Sequence, residues 1–332
     1  MTLLSKIVAK STDRLDLITG RTRCRFESQR QAFHVFCYHS IVPDEFADRG
    51  WVASQSVTVS AFEQQIEMLA ETRRVRPLGE IIKFAGMGEE IDGPHIAITF
   101  DDGLADNVML ALPILQKHGL LATFFLTTGA IDRGDLLAND KIRILRDARQ
   151  RGRLRAALHP VCERLLKQPG YYKLTSLSEY ASHLDELWAT AQHRVDGDAL
   201  ECCRMMRWDE ARLLRSAGME LGAHTVNHVI LSREETDIRQ FEIVESVRRV
   251  RAEMRRESIP FAFPNGQPSD FGDADLGVLR DLNTPYAVTT SAGLNMAGGD
   301  RLSLRRHGVG IRHRVGDLWT ALGRTEPALA ID

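Results

Sequence analysis

The chain has 332 residues, 43% of them hydrophobic and 27% charged, which excludes wholesale disorder and suits one large α/β domain or two small ones. A formal net charge of -2 supplies no global drive toward nucleic acid, so no nucleic-acid partner is expected. Five cysteines (Cys24, Cys37, Cys162, Cys202 and Cys203) are odd in number and lack CxxC spacing; they read as reduced thiols rather than a disulfide framework.

Taken in order, residues 1–31 are an N-terminal segment without the apolar core and cleavage site of a signal peptide. Leu3, Leu4, Ile7, Val8, Leu15 and Ile18 among basic residues give it the pattern of a peripheral amphipathic helix. Ala32 to Tyr38 reads as the first strand and ends at His39. Ser60-Ala-Phe-Glu63 has the capping-box pattern for a helix burying Phe62, Ile66 and Leu69, and a short helix follows near Leu78 to Phe84. The apolar run Ile96 to Phe100 is a buried strand that stops at Asp101-Asp102-Gly103. Asp106 is placed to cap the next helix, which Pro113 should kink. Ala122 to Leu126 is again a strand.

Residues of about 140–200 contain helical patterns and no strand, and read as an insertion in one domain spanning 32–323, with 324–332 as a tail. Lys6 to Arg30 and Lys141 to Arg155 each hold seven Lys/Arg, against three acids and one acid respectively; such clusters are solvated faces or contacts to anionic surfaces. Alternation resumes with a helix at Trp208 to Ser216 and a strand ending at His224. Ser232-x-x-Glu235 heads a long helix carrying Ile238, Phe241, Val244, Val247, Val250 and Met254 inward. Phe261 to Phe263, Tyr286 to Thr290 and Leu302 to His307 complete the strands, with helices near Ala274 to Leu282 and Asp317 to Leu322. Strands alternating with helices argue for a parallel α/β sheet, open or closed into a barrel.

Two constellations carry chemistry. Asp101 and Asp102 sit at a strand's C-terminal mouth, where such folds place their sites, and adjacent like charges are costly unless a cation or proton is shared. His224 and His228, four apart after another strand, can present both imidazoles to one ion. Asp102 with the two histidines makes a set that leaves positions open for water and substrate.

Thr99-Phe-Asp-Asp-Gly103, His224-x-x-x-His228 and Phe261-Ala-Phe-Pro-x-Gly266, in that order, resemble the first three motifs of the polysaccharide deacetylase family, carbohydrate esterase family four. Ala122-Thr-Phe-Phe125 and Ala287-Val-Thr-Thr290 are similar to that family's strands. The resemblance implies a distorted (β/α)7 barrel of the polysaccharide deacetylase type with a helical insertion. It implies hydrolysis of N-acetyl groups on an amino-sugar glycan or glycolipid precursor. Asp102, His224 and His228 match the metal ligands, Asp101 the general base, and the backbone N–H of Asn265, after Pro264, the oxyanion donor. His39 and His307 are the two candidates for the general acid. Zinc is the expected ion, and cobalt, nickel or iron suit the same donors. The chain departs from the family at Ala262, where an Arg that orients the base is common, and at Thr289-Thr290-Ser291, where a Trp is usual.

The expected substrate is an N-acetylated sugar, glycan or lipid-linked glycan. The expected location is cytoplasmic, with peripheral contact at the inner membrane face through the basic stretches. A hydrolase of a non-sugar amide and a non-catalytic carbohydrate-binding relative are the alternatives.

Overall fold

Apolar runs make the strands here because a parallel strand covered on both faces leaves no side for water. The computed structural model describes residues 20–86, 93–154 and 158–324; the amphipathic segment from Leu3 to Ile18 and the end of the tail lie outside them. Ala32–Tyr38 (β1), His95–Phe100 (β2), Thr123–Leu126 (β3), Glu220–Ala223 (β4), Phe261–Ala262 (β5) and Ala287–Val288 (β6) pair side by side, all parallel. Leu304 then bridges Val288, and His307–Gly308 (β7) pairs with Phe36 and Cys37 of β1. The sheet thereby curls until its last strand lies against its first. This is the distorted seven-stranded barrel with a helical insertion.

The two faces separate cleanly. Phe33, Val35, Ala97, Ala262, Val288 and Leu304 belong to one packed cluster inside the curl. Phe36, Ile96, Ile98 and Phe100 pack outward against the helices. Val59–Glu71 (α1) buries Phe62, Ile66 and Leu69 as expected, but its cap is Thr58, whose side chain accepts from the Ala61 N–H. Ser60 instead donates to Asp44. Pro113 has no N–H to close an α-helical turn, and the chain before it widens into a π-turn over Asn107–Ala111 that leads into Leu112–Lys117 (α2).

The insertion is helical, with no strand among its described residues: Ala138–Gln150 (α3), Pro160–Lys167 (α4), Leu177–Ala191 (α5) and Gly197–Cys202 (α6). It builds its own core from Ile142, Leu145, Leu165, Leu184 and Trp188, and Trp51 from the β1–α1 connection is buried in that core. Trp51 donates from Nε1 to Asp196 (3.2 Å). The cations of α3 are occupied internally. Lys141 bonds Asp135 and Asp185, Arg146 the Leu165 and Leu166 carbonyls, Arg149 Glu163, and Arg151 Asp147.

The long helix Thr236–Met254 (α7) buries Val247, Val250 and Met254 as expected, but turns Phe241 outward. Ile243, Val247, Val250 and Met254 are buried, but so are Glu242 and Ser246, while Phe241 is 54% exposed. Ser232 lies in a separate 3-10 turn ahead of the helix. The rotation brings Glu242 under the loop that carries the two histidines. No helix among the described residues is long and apolar enough to cross a membrane.

Candidate active site

Both carboxylates leave the C-terminal end of β2. The backbone turns so sharply after Phe100 that Asp102 has φ 75° and Gly103 φ 85°; a side chain at Gly103 would also press on Leu126 and Ile131. The turn separates the two acids, one directed to Arg306 and the other to the histidine loop.

His224 follows β4, its N–H bonded to the Leu126 carbonyl (2.9 Å). Its Nδ1 donates to the Ala262 carbonyl (2.8 Å), which fixes the tautomer and leaves the Nε2 lone pair free. That Nε2 lies 3.5 Å from Asp102 Oδ1, and His228 Nε2 lies 3.1 Å from the same oxygen. The intervening loop turns through Thr225 (φ 61°) and His228 (φ 59°). It is held by Glu242, whose carboxylate accepts from the Val226 and Asn227 N–H groups (both 2.8 Å) and from Asn227 Nδ2 (2.7 Å).

The donor set fits a divalent ion. Ligand atoms of Asp102, His224 and His228 all lie within 4.8 Å of one another. Asp102 Oδ1 is buried, yet makes no hydrogen bond of acceptable geometry among the described residues. A buried carboxylate oxygen surrounded by nitrogen lone pairs needs a cation or proton between them. Burial would raise the Asp102 carboxyl, but the imidazoles beside it, His228 foremost, hold it well below its ordinary value. Burial lowers the His228 imidazole, and Asp102 outweighs that to leave it raised.

Asp101 is oriented by a residue that the motif comparison does not supply. Arg306 donates to Asp101 through Nη1 (2.7 Å) and Nη2 (2.6 Å), and further to the Thr289 carbonyl through Nε (2.6 Å). Arg306 is fully buried. It lies just ahead of β7, whereas the resemblance places an arginine in this position at Ala262. Burial pushes Asp101 up, and the guanidinium overrides it to bring the carboxyl down to about 2. Cys37, His39 and Asp101 also bring ligand-type atoms within 4.8 Å of one another. Arg306 already engages both Asp101 oxygens, which leaves the Asp102 group as the better donor set for an ion.

His39 stands at the rim with Nε2 4.0 Å from Asp101 Oδ2 and a buried Nδ1 that has no partner among the described residues. Its carbonyl accepts from Asn107 Nδ2 (2.8 Å). Burial holds its imidazole below the ordinary value. Asp106, expected as a helix cap, is instead buried beneath this rim, accepting from Ser40 Oγ and Asn107 Nδ2 (both 2.6 Å). Burial raises its carboxyl to about 7.

His307 does not reach this group. Leu304 and Arg306 face the interior, and the alternation of a strand sends His307 to the opposite face. There its Nε2 is 3.0 Å from His34 Nδ1, and His34 Nε2 is 2.6 Å from Gln29 Oε1. An amide oxygen only accepts, so His34 donates from Nε2 and accepts at Nδ1, and His307 is the donor to it. Burial lowers His34 to about 3 and His307 to about 4.

Asn265, at φ 57°, lines the same cavity as Asp101, Asp102, His224 and His228. Its side chain donates to Asp270 (2.6 Å), and its carbonyl accepts from Thr290, one of the residues standing where the family usually has Trp. Pro264 lies just behind, its carbonyl accepting from the Gly266 N–H (2.6 Å).

A parallel α/β barrel thus carries an Asp-Asp pair and an HxxxH loop on one rim. The chain belongs to the polysaccharide deacetylase family, whose model matches residues 88–283. Its fold is similar to that of the deacetylase PplD of Streptococcus pyogenes, solved in complex with acetate, at 19% identity and TM-score 0.60, covering 89% of this chain and 99% of that one. IcaB from Ammonifex degensii is similar at 16% identity and TM-score 0.55, covering 89% and 97%. A de-N-acetylase from Aggregatibacter actinomycetemcomitans is similar at 14% identity and TM-score 0.57, covering 87% and 99%. No curated protein matches the sequence significantly.

Proposed function

We propose that this protein is a divalent-metal-dependent hydrolase that removes N-acetyl groups from an amino-sugar glycan. The observation that carries the reading is the convergence of Asp102, His224 and His228 beside an Asp101 carboxylate that Arg306 keeps ionised. Those three residues would hold the ion, zinc by donor type, which when bound polarises the acetamide carbonyl and acidifies water.

The remaining roles fall to the chain's own groups. Asp101, ionised at neutral pH and fixed at both oxygens, accepts the proton of the attacking water. The Asn265 N–H donates to the oxygen on which charge develops. His39, neutral and close to Asp101, relays a proton to the leaving nitrogen. A neutral relay suits a site whose burial disfavours a stored imidazolium.

The internal pairing of the α3 cations favours a glycan over a membrane-surface substrate, since few of them remain to meet an anionic headgroup. The test is acetate release from N-acetylated sugars by zinc-loaded protein beside Asp101→Asn and His228→Ala. Release by the wild type alone, abolished by chelator, supports the reading. Full metal occupancy without acetate from any N-acetylated sugar would overturn it.

A further inference from the structure

Beside the catalytic cavity, of about 280 Å³, lies a second one of about 420 Å³ beneath the helical insertion. The two adjoin: His39, Gln55, Asp102, Asn139, Tyr172 and Lys173 line both. The inner wall of the larger cavity is the first turn of α3. There Asp140 is 6% exposed, and its Oδ1 accepts from Arg143. Its Oδ2 is buried and has no partner among the described residues, and the same holds for Oδ1 of Asn139. Two adjacent buried acceptors left without donors are expensive in a folded protein.

We propose that this cavity is a subsite for a neutral, hydroxyl-bearing sugar unit next to the acetamido sugar being hydrolysed, with Asn139 Oδ1 and Asp140 Oδ2 accepting from its hydroxyls. The proposal rests on the reading of the catalytic site as a glycan de-N-acetylase. The occupant must donate hydrogen bonds, which hydroxyls do. It is not an amine already freed of acetate, because Asp140 is matched by Arg143 and the cavity also holds Arg146 and Lys173. Asp102 and Asp140 face Arg143, Arg146 and Lys173 around this cavity, an excess of cations that disfavours ammonium. The subsite therefore selects a neighbouring unit that still bears its acetyl group or carries none to lose.

The experiment is calorimetric titration of N-acetylglucosamine and of its fully acetylated and half-acetylated tetramers into zinc-loaded full-length protein. An Asp101→Asn background suppresses turnover, and Asn139→Leu and Asp140→Asn are added separately. The acetylated tetramer is expected to bind about tenfold more tightly than the monomer, with about fivefold of that preference lost in Asn139→Leu. Asn139 pairs with nothing through this oxygen among the described residues, so its replacement tests the subsite even if Asp140→Asn unfolds by stranding Arg143. Equal affinity for monomer and tetramer, a preference unmoved in Asn139→Leu, a preference for free amines, or no binding at all would each overturn the subsite. Acetate release by the wild type is scored separately. Tetramer binding that depends on Asn139 without acetate release would retain the subsite and refute the deacetylase reading.

Discussion

Arg306 and Asp101 face each other as a two-pronged ion pair with almost no exposure on either side, at 2.7 and 2.6 Å. Such a pair is a weak source of net stability but a firm constraint on geometry, because either partner alone would be a stranded charge. Arg306→Ala should therefore cost about 3–5 kcal/mol by chemical denaturation. Arg306→Lys keeps the charge without the fork and should fold, with kcat down roughly 10²-fold from misplacement of the base. The double variant Arg306→Met with Asp101→Asn should recover most of the lost stability and no acetate release. Full activity in Arg306→Lys would show that the fork does not position the base.

Glu242 touches no reacting atom, yet its three hydrogen bonds hold the loop between His224 and His228. Glu242→Ala should weaken zinc binding about 10–100-fold, the usual cost of losing a group that orients ligands. Competition with a chromogenic chelator measures this directly. Unchanged affinity would mean that the left-handed turns at Thr225 and His228 hold without it.

Zinc should stabilise the wild-type fold, because the site exists only when β2, β4 and the histidine loop are assembled. At a free concentration a hundredfold above Kd the gain is about 2.7 kcal/mol. A thermal shift on adding zinc, absent in His228→Ala and reversed by chelator, is the expected result.

His34 and His307 are held neutral, at about 3 and about 4, against roughly 6.5 in an unfolded chain. The unfolded state thus binds more protons between these values, and stability must fall as pH drops from about 6.5 toward 4. Above about 6.5 the contribution is complete. The slope is at most about 1.4 kcal/mol per pH unit for each histidine. In His307→Gln, whose amide can still donate to His34, urea midpoints at about pH 7 and pH 5 should lie closer together than in the wild type. The same variant should keep acetate release at neutral pH, because His307 sits on the far face of its strand; a large loss would restore it as a proton donor.

Much of this was legible in the chain. The apolar runs ending at Asp101, at His39 and at His224 placed three chemical groups on one rim; the alternation left the sheet open or closed, and the family resemblance implied the barrel. Helix faces were harder. A hydrophobic count along α7 favoured Phe241, but the face that packs is set by Glu242, whose partners are backbone N–H groups sixteen and fifteen residues earlier. Arg306 was hidden for a related reason. The resemblance points to position 262 for such an arginine, and nothing local marks an arginine as buried. The signal available was alternation with Leu304, which puts Arg306 inside and His307 outside. The caps were misplaced because Ser60 and Ser232 had nearby competitors, and tertiary contacts decided between them.

The burial of Trp51 in the core of the insertion ties the β1–α1 connection to helices α3–α6. The insertion is thus not an independent module that could be cut out and the barrel resealed. Excision would leave a tryptophan stripped of its cover beside the cavity mouth, inviting association through that face. A chimera that exchanged substrate preference between relatives would have to transplant both segments together.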